Sequence, residues 1–237
     1  MKNLIFVTLV LLTSCGDQSS QSNLKEVGNP PLRGPEARRI FATVTRAATA
    51  LDSAIDATDR YNNKVVSQQL LQNTKCVVAV NYIKGGFLLG GSGGLGQMAC
   101  RNGSGWSMPS FMRSASFELG ATIGVKGYSV TLFITNPSVA QRYMGQLNID
   151  LKAYAEAVAA NAEAALRVAE KYGLVMVITN DAGLYAGVGI SFTTVDHMPV
   201  RNAKVYGYKS VQEVLSTPAE LAPELTKPFN DVLRRNF

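Results

Sequence analysis

A glycine-rich run in the middle of the chain limits the folds that this sequence can form. Seven of the twelve residues from 85 to 96 are glycine, and glycine is unfavourable inside a helix because it loses the most backbone freedom on folding. The apolar segment Cys76–Val80 precedes the run and is typical of a buried strand. We therefore predict a glycine-rich strand that bends at bulges or lets another surface approach its backbone closely.

The same glycines match two functional motifs, and the flanking sequence argues against both. Gly91–Gly96 fits the dinucleotide-binding fingerprint, and Gly90–Gly94 fits the nucleophile elbow with Ser92 as nucleophile. Each motif needs a helix directly after the glycines, but the turn signal Asn102–Gly103 follows too soon for one. A Ser92 hydrolase is therefore a remote alternative, and His197, the single histidine, is interpreted as a loop residue.

The first fifteen residues have the features of an export signal. The apolar run Leu4–Leu12 is shorter than the about 20 residues needed to cross a bilayer. Its ending, Leu12–Cys15, resembles the bacterial lipobox, whose cysteine is acylated, for example with palmitate. We expect a signal peptide over residues 1–15, lipidation of Cys15 and an exported protein anchored in the cell envelope. Gly16 after the cysteine favours the outer membrane, with the protein facing the periplasm.

A tether and one domain are predicted for the rest of the chain. Residues 16–35 are mostly polar, with glycine and proline and little to bury, which favours a flexible tether. Pro35 and Glu36 favour the start of a helix, after which apolar residues recur at steps of three and four from Ile40 to Ile55. This helix either packs on the core or lies on lipid headgroups. The domain is placed at 36–237.

Beyond residue 76 the pattern predicts mainly strands joined by turns. Turn signals stand at Lys84–Gly86, Asn102–Gly103 and Asn180–Gly183. Leu147–Ala153 alternates as a strand does, and the Ala-rich stretch Ala153–Glu170 is ambiguous. Together they are interpreted as a strand followed by a short helix. Two capping boxes predict short C-terminal helices, Ser210 with Glu213 and Thr217 with Glu220. The predicted class is α+β: a mainly antiparallel, glycine-rich sheet, sandwich- or half-barrel-like, flanked by N-terminal and C-terminal helices.

Two of the three cysteines lie beside the glycine run. Export would place Cys76 and Cys100 in an oxidising compartment, where a disulfide is plausible. A hairpin that turns near Gly85 pairs Cys76 with Gly94, which leaves Cys100 too far away for a bridge. A bulge would change that register, so the sequence leaves the disulfide open.

Several sequence blocks, in order, resemble the SYLF domain, a lipid-binding family. The blocks are Val66–Leu71, Lys75–Val80 with Lys84–Phe87, Gly90–Gly96, Gly105–Phe111, Leu119–Gly124, and Gly183–Val188 with Tyr206–Gly207. The resemblance covers about residues 36–237 and implies binding of anionic phospholipids without catalysis, partly through an N-terminal amphipathic helix. Some fungal relatives bind actin, but we do not expect actin as the partner of an envelope lipoprotein.

Charge and the resemblance together give the candidate binding residues. The net charge of +6 favours anionic partners, and we expect no nucleic acid, no cofactor, no catalytic residue and no metal site. Lipid contact is expected at the following residues: Arg38, Arg39, Phe41, Val44, Arg46 and Lys84. The arginines would pair with phosphates while Phe41 and Val44 enter the headgroup layer. Arg101, Arg113 and Lys126 are interpreted as ordinary solvated cations. The alternative is a structural or assembly protein that docks an envelope protein through the glycine-rich sheet.

Overall fold

The computed structural model describes residues 32–87, 89–103, 105–119, 124–145, 161–180, 183–184, 194–207 and 209–237. Only the main chain is described at 84–87, 89–91, 116–119, 124–126 and 183–184. The predicted signal peptide, the predicted acylation site Cys15 and nearly all of the tether lie outside these residues.

Helices and antiparallel strands make up the described chain. The α-helices are α1 (Gly34–Asp56), α2 (Gln68–Asn73), α3 (Pro137–Gly145), α4 (Ala162–Tyr172), α5 (Pro199–Tyr206), α6 (Val211–Ser216) and α7 (Lys227–Asn236). The strands are β1 (Cys76–Phe87), β2 (Leu89–Asn102), β3 (Gly105–Trp106), β4 (Ser110–Leu119), β5 (Gly124–Ile134), β6 (Leu174–Asn180), β7 (Gly183–Leu184) and β8 (Thr194–His197).

The strands form one open sheet in the order β7-β6-β5-β1-β2-β4-β8, with β3 paired to β2. Every pairing is antiparallel, and β1 and β2 lie at the centre. This confirms the predicted α+β class with a mainly antiparallel sheet. Helices pack on both faces of the sheet, because each face presents a row of apolar side chains from alternate positions of the strands.

One face of the sheet carries α1 and is called the α1 face. Val77, Ala79 and Phe111 lie in the same core cluster as the buried residues of α1. Val78, Met98 and Met112 point the other way, into a second core with residues of α3 and α6. The apolar period of α1 is therefore satisfied by packing on the core, which confirms the helix and its packing; the opposite side of α1 stays exposed.

The β1–β2 hairpin turns three residues later than predicted. The register pairs Phe87 with Leu89 and Cys76 with Cys100, so the predicted turn at Lys84–Gly86 is wrong: these residues stay in β1. Glycine there extends the strand instead of ending it. The longer hairpin brings Cys76 and Cys100 opposite each other, with their Cα atoms 4.0 Å apart, and they form a disulfide.

Two glycines of β2 are required by the close approach of β1. A Cβ atom on Gly96 would lie 2.0 Å from the Ala79 carbonyl oxygen, and one on Gly94 would lie 2.6 Å from a methyl group of Val80. The pairing of β1 with β2 runs without a bulge through this segment. Of the two predicted uses of the glycines, close approach is confirmed and bulging is wrong for this strand pair.

The C-terminal helices follow one predicted capping box and depart from the other. Ser210 and Glu213 cap α6 reciprocally, as predicted. Thr217 instead donates its hydroxyl to the Glu213 carbonyl, and the next element is a 3-10 helix, Ala219–Leu221, with no side-chain cap. Helix α4 confirms the helical half of the prediction for 147–170; the strand predicted before it lies outside the described residues. Among the helices of the described chain, none has the length and apolar character to cross a bilayer.

Candidate functional site

The arginines predicted to bind lipid lie along the exposed side of α1. Arg38, Arg39 and Arg46 are exposed, and none forms an ion pair with another residue of the described ranges. Arg39 and Arg46 are seven residues apart, about two helical turns, and so share one flank of the helix. Three exposed cations without an ion pair on one helix favour contact of this surface with anions.

The two apolar residues predicted to enter a membrane lie in different environments. Phe41 is 48% exposed, on the flank where Asp52 pairs with Arg235 of α7 at 2.7 Å. Val44 is completely buried in the core beneath α1. Val44 therefore cannot contact a membrane in this structure, and that part of the prediction is corrected: its apolar period reflects packing.

Just beyond α1, one row of residues crosses six strands on the α1 face. In register order this outer row is Thr179, Ser129, Asn81, Leu95, Arg113 and Asp196. Its members are polar except for Leu95, and the Asn81 amide donates to the Ser129 hydroxyl at 3.1 Å. The row therefore marks where the covered apolar core ends and a polar surface begins.

A polar groove of about 310 Å³ lies between α1 and this outer row. Its lining is Thr45, Arg46, Thr49, Ser53, Asn81, Gly127, Tyr128, Ser129, Thr179 and Asn180. These residues supply hydroxyl groups, amides and one guanidinium, and none of the described lining residues is acidic or a histidine. Such a set can hold an anion or a polar headgroup by hydrogen bonds, but it lacks an acid–base pair for general catalysis.

A smaller apolar notch of about 170 Å³ adjoins the groove towards the tip of the β1–β2 hairpin. It is lined by Thr43, Arg46, Asn81, Ile83, Gly93, Gly94 and Leu95. Ile83 is 55% exposed and Leu95 37% exposed, and Gly93 and Gly94 beside them have no side chain that would cover them. These two aliphatic side chains give the notch an apolar surface beside the polar groove.

The remaining predicted cations have separate roles. Arg101 donates to the main-chain oxygens of Thr74 and Phe237 at 3.0 and 3.1 Å, and its guanidinium lies 5.0 Å from the centre of the Trp106 ring. It is a structural residue, so its interpretation as a solvated cation is wrong. Arg113 is exposed, 3.7 Å from Asp196. Lys84 pairs with Ser92 and Lys126 in the sheet, and its side chain is not among those described.

The residues of the remote hydrolase alternative do not form a nucleophile elbow. Ser92 lies within β2, paired with Lys84 on one side and Ser116 on the other, and no helix follows it. His197, predicted in a loop, is instead the last residue of β8 and is buried. The elbow geometry is therefore absent at Ser92, and the dinucleotide motif fails for the same reason.

His197 belongs to a buried hydrogen-bonded chain. Its Nε2 lies 2.8 Å from the Tyr143 carbonyl and its Nδ1 lies 2.8 Å from the Ser110 hydroxyl. Because a carbonyl only accepts, Nε2 carries the proton and Nδ1 accepts from Ser110. Asn202 donates to the same hydroxyl at 2.9 Å. Burial lowers the pKa of His197 below its ordinary value. These side chains are buried and cannot reach a substrate. The hydrogen-bonded chain therefore has a structural role: it connects β4, β8, α3 and α5.

Sequence reasoning found the cations and missed the surface opposite them. Asn81, Ile83 and Ser129 belong to no sequence motif, because only the register of the strands brings them together. The one available signal was the alternation along β1, where polar Asn81 breaks an apolar series on a single face. Within the described ranges no cluster of His, Cys, Asp or Glu could hold a metal ion.

Known proteins resemble much of this chain. A family model described as "Ysc84: Las17-binding protein actin regulator" matches residues 115–236. Protein YSC84 of Saccharomyces cerevisiae is 24% identical over 210 residues, covering 85% of this chain and 45% of the yeast protein. LAS seventeen-binding protein 3 of the same yeast is 24% identical over 210 residues, covering 85% of this chain and 46% of the relative. The chain thus spans slightly under half the length of these curated relatives.

Proposed function

Because the chain belongs to the Ysc84 family, in agreement with its SYLF-like motifs, we propose that it is a non-catalytic binding protein for anionic phospholipid surfaces. The exposed side of α1 would make the contact, with Arg38, Arg39 and Arg46 attracting phosphates. Phe41, at the edge of the same helix, would enter the headgroup layer. Lys84, near the end of the β1–β2 hairpin, would also contact the lipid surface.

The observation that carries this proposal is the state of the three arginines. Each is exposed and free of ion pairs with the described residues, whereas Arg234 and Arg235 at the C-terminus pair with Asp231 and Asp52. A basic residue near an anionic bilayer contributes about 1 kcal/mol. Three such residues on one helix therefore give a useful affinity, which salt weakens because the contacts are exposed.

Anchoring would complement this weak surface attraction. If Cys15 is acylated, as its lipobox-like sequence predicts, the chain is held at an envelope membrane and the domain needs only modest affinity for lipid. Lipidation, export and the outer-membrane location remain part of the proposal. They rest on the sequence of residues 1–16 alone.

A protein partner is the second candidate function. The family description names Las17 binding and actin regulation, and the yeast relative is named as a Las17-binding protein. In this chain such a partner would be an envelope protein that docks on the sheet beside the exposed Ile83 and Leu95. Binding to purified envelope proteins in the absence of lipid would favour this candidate over the first.

Vesicle co-sedimentation tests the proposal. The full chain carrying Cys15→Ser, which cannot be acylated at that position, would be mixed with phosphatidylglycerol-containing or purely phosphatidylcholine vesicles. We expect association with the anionic vesicles at low salt and little with the neutral ones. Equal association with both, or none with either, would overturn the proposal.

A further inference from the structure

Arg46 stands between two surfaces of opposite character. It lines the polar groove, on the side of Ser53 and Ser129, and it also lines the apolar notch, on the side of Ile83 and Leu95. Asn81 is the other residue common to both. A charged group bound at Arg46 would therefore have a hydrogen-bonding surface on one side and aliphatic side chains on the other.

A phospholipid has this same order of chemical groups. Its anionic phosphodiester lies between a polar headgroup and an apolar glyceride portion. The guanidinium of Arg46 matches the phosphodiester by charge and by its planar set of donors, and no acidic side chain in the described lining competes for it. The volume of the polar groove, about 310 Å³, lies at the lower end of the range of small-molecule sites.

We infer that the groove and the notch together form a site for a single phospholipid molecule, with its phosphodiester at Arg46, its headgroup in the polar groove and its glyceride end over Ile83 and Leu95. This inference rests on the proposed lipid binding and adds to it a defined stoichiometric site. A flat electrostatic surface would attract many lipids without distinguishing them; this site holds one.

The lining selects a class of headgroup. Thr49, Ser53 and Thr179 are among the lining residues, and hydroxyl groups can both donate and accept hydrogen bonds. The described lining has no carboxylate to neutralise an ammonium group, and its one aromatic residue, Tyr128, stacks on Tyr82 with ring centres 5.0 Å apart. An aromatic cage for choline is therefore absent from this lining. The site fits an uncharged polyol headgroup, such as glycerol, better than choline or ethanolamine.

Calorimetric titration with a monomeric lipid separates this site from general membrane attraction. The probe is dihexanoyl phosphatidylglycerol below its micellar concentration, added to the full chain carrying Cys15→Ser. We expect one lipid per chain, and Arg46→Gln should weaken binding at least about tenfold, the effect of losing a charge-assisted hydrogen bond. Arg33→Gln is the matched control: it removes the same charge at the N-cap of α1, outside the lining, and should change binding less than about twofold. Thermal melting of both variants checks that the fold is kept.

Three further probes test the ligand class. Dihexanoyl phosphatidylcholine should bind more weakly than the glycerol lipid, and glycerol 3-phosphate, which has no acyl chains, should bind more weakly than either. Ile83→Ser should weaken binding of the lipid and leave glycerol 3-phosphate unchanged. If glycerol 3-phosphate or inorganic phosphate binds as tightly as the lipid, the site is one for soluble phosphoesters and the inference is overturned.

The outcomes also separate this inference from the function on which it rests. If the monomeric lipid does not bind, or if Arg33→Gln and Arg46→Gln weaken binding equally, the single-lipid site is disproved. The proposed function survives that result when anionic vesicles still bind the chain. Loss of both kinds of binding would disprove the function as well.

Discussion

Gly96 lies so close to Ala79 of the neighbouring strand that a Cβ atom on Gly96 would come within 2.0 Å of the Ala79 carbonyl oxygen. The obstacle is backbone, which a rotamer change cannot move away. We therefore expect Gly96→Ala to lower the free energy of unfolding by about 3 kcal/mol or more, the upper range for overpacked sites. Urea denaturation followed by circular dichroism measures this change.

Gly93 provides the matched control in the same strand. A Cβ atom there would find its nearest neighbour, the Ser114 carbonyl oxygen, at 4.0 Å. Gly93→Ala should leave stability within about 0.5 kcal/mol of the parent or raise it slightly, since alanine restricts the unfolded chain. Equal destabilisation by the two substitutions would show that the close contact between β1 and β2 is not the cause.

The disulfide between Cys76 and Cys100 should stabilise the fold by restricting the unfolded chain. The bridge closes a loop with a sequence separation of 24, for which the entropic model gives about 3.5 kcal/mol. Replacing both cysteines by serine should lower the urea midpoint accordingly. A reducing agent present during unfolding should lower the midpoint of the parent chain and leave that of the double variant unchanged; a parent midpoint indifferent to the reductant would contradict the bridge.

The single histidine should make stability depend on pH. Burial lowers the pKa of His197 in the folded state, so below about pH 6.5 the unfolded chain binds a proton that the folded chain does not. The contribution of His197 to stability should be constant above this pH. It should fall as the pH decreases towards the pKa of His197 in the folded state, with a slope of at most about 1.4 kcal/mol per pH unit. Denaturation midpoints between pH 7.5 and 5 measure the effect.

His197→Gln is the control for that experiment. It removes the titrating group, so the slope between pH 7.5 and 5 should disappear even if stability is lower throughout. Hydrogen bonds lower the pKa values of Glu36, Asp59 and Glu213 from their ordinary values. Protonation of these carboxylates therefore changes the stability at lower pH than protonation of His197 does. A variant that keeps the full slope would place the titrating group elsewhere.

Arg101 and Arg46 should respond differently to the same substitution. Arg101 holds two main-chain oxygens and lies over Trp106, so Arg101→Gln should cost about 2 kcal/mol of stability. Arg46 is exposed without an ion pair in the described chain, and Arg46→Gln should cost less than about 0.5 kcal/mol. Urea denaturation of both variants is the measurement, and equal losses would contradict the separate roles assigned here.

The sequence predicts elements of this fold better than it predicts their pairing. The apolar period identifies α1, the continuous apolar segment Cys76–Val80 identifies β1, and proline and capping residues identify where helices begin. The sequence predicts the β1–β2 turn at the wrong place because Gly85 and Gly86 locally favour a turn, whereas the observed register keeps both residues in β1. With the turn predicted three residues too early, Cys76 is not paired with Cys100, and the disulfide cannot be predicted. The register depends on contacts between distant segments, which local sequence patterns do not contain.

The residues of the candidate site also differ in whether the sequence alone predicts them. The arginines of α1 follow from one helical period and could be predicted. The burial of Val44, by contrast, depends on what the apolar face of α1 packs against. The helical period of apolar residues shows that such a face exists, but it fits a protein core and a membrane surface equally well. Asn81 and Ile83 become part of a site only when β1, β2 and β5 are aligned, and no local pattern contains that information.

The most direct test of the central claim is the salt dependence of vesicle binding in two charge-matched variants. One carries Arg38→Gln, Arg39→Gln and Arg46→Gln, and the other carries Lys64→Gln, Lys209→Gln and Lys227→Gln, three exposed cations outside α1. Binding to phosphatidylglycerol vesicles should fall about fivefold for each α1 arginine lost and should lose most of its salt dependence, while the lysine variant stays near the parent. Equal weakening of the two variants, or parent binding that salt does not change, would contradict membrane recognition by α1.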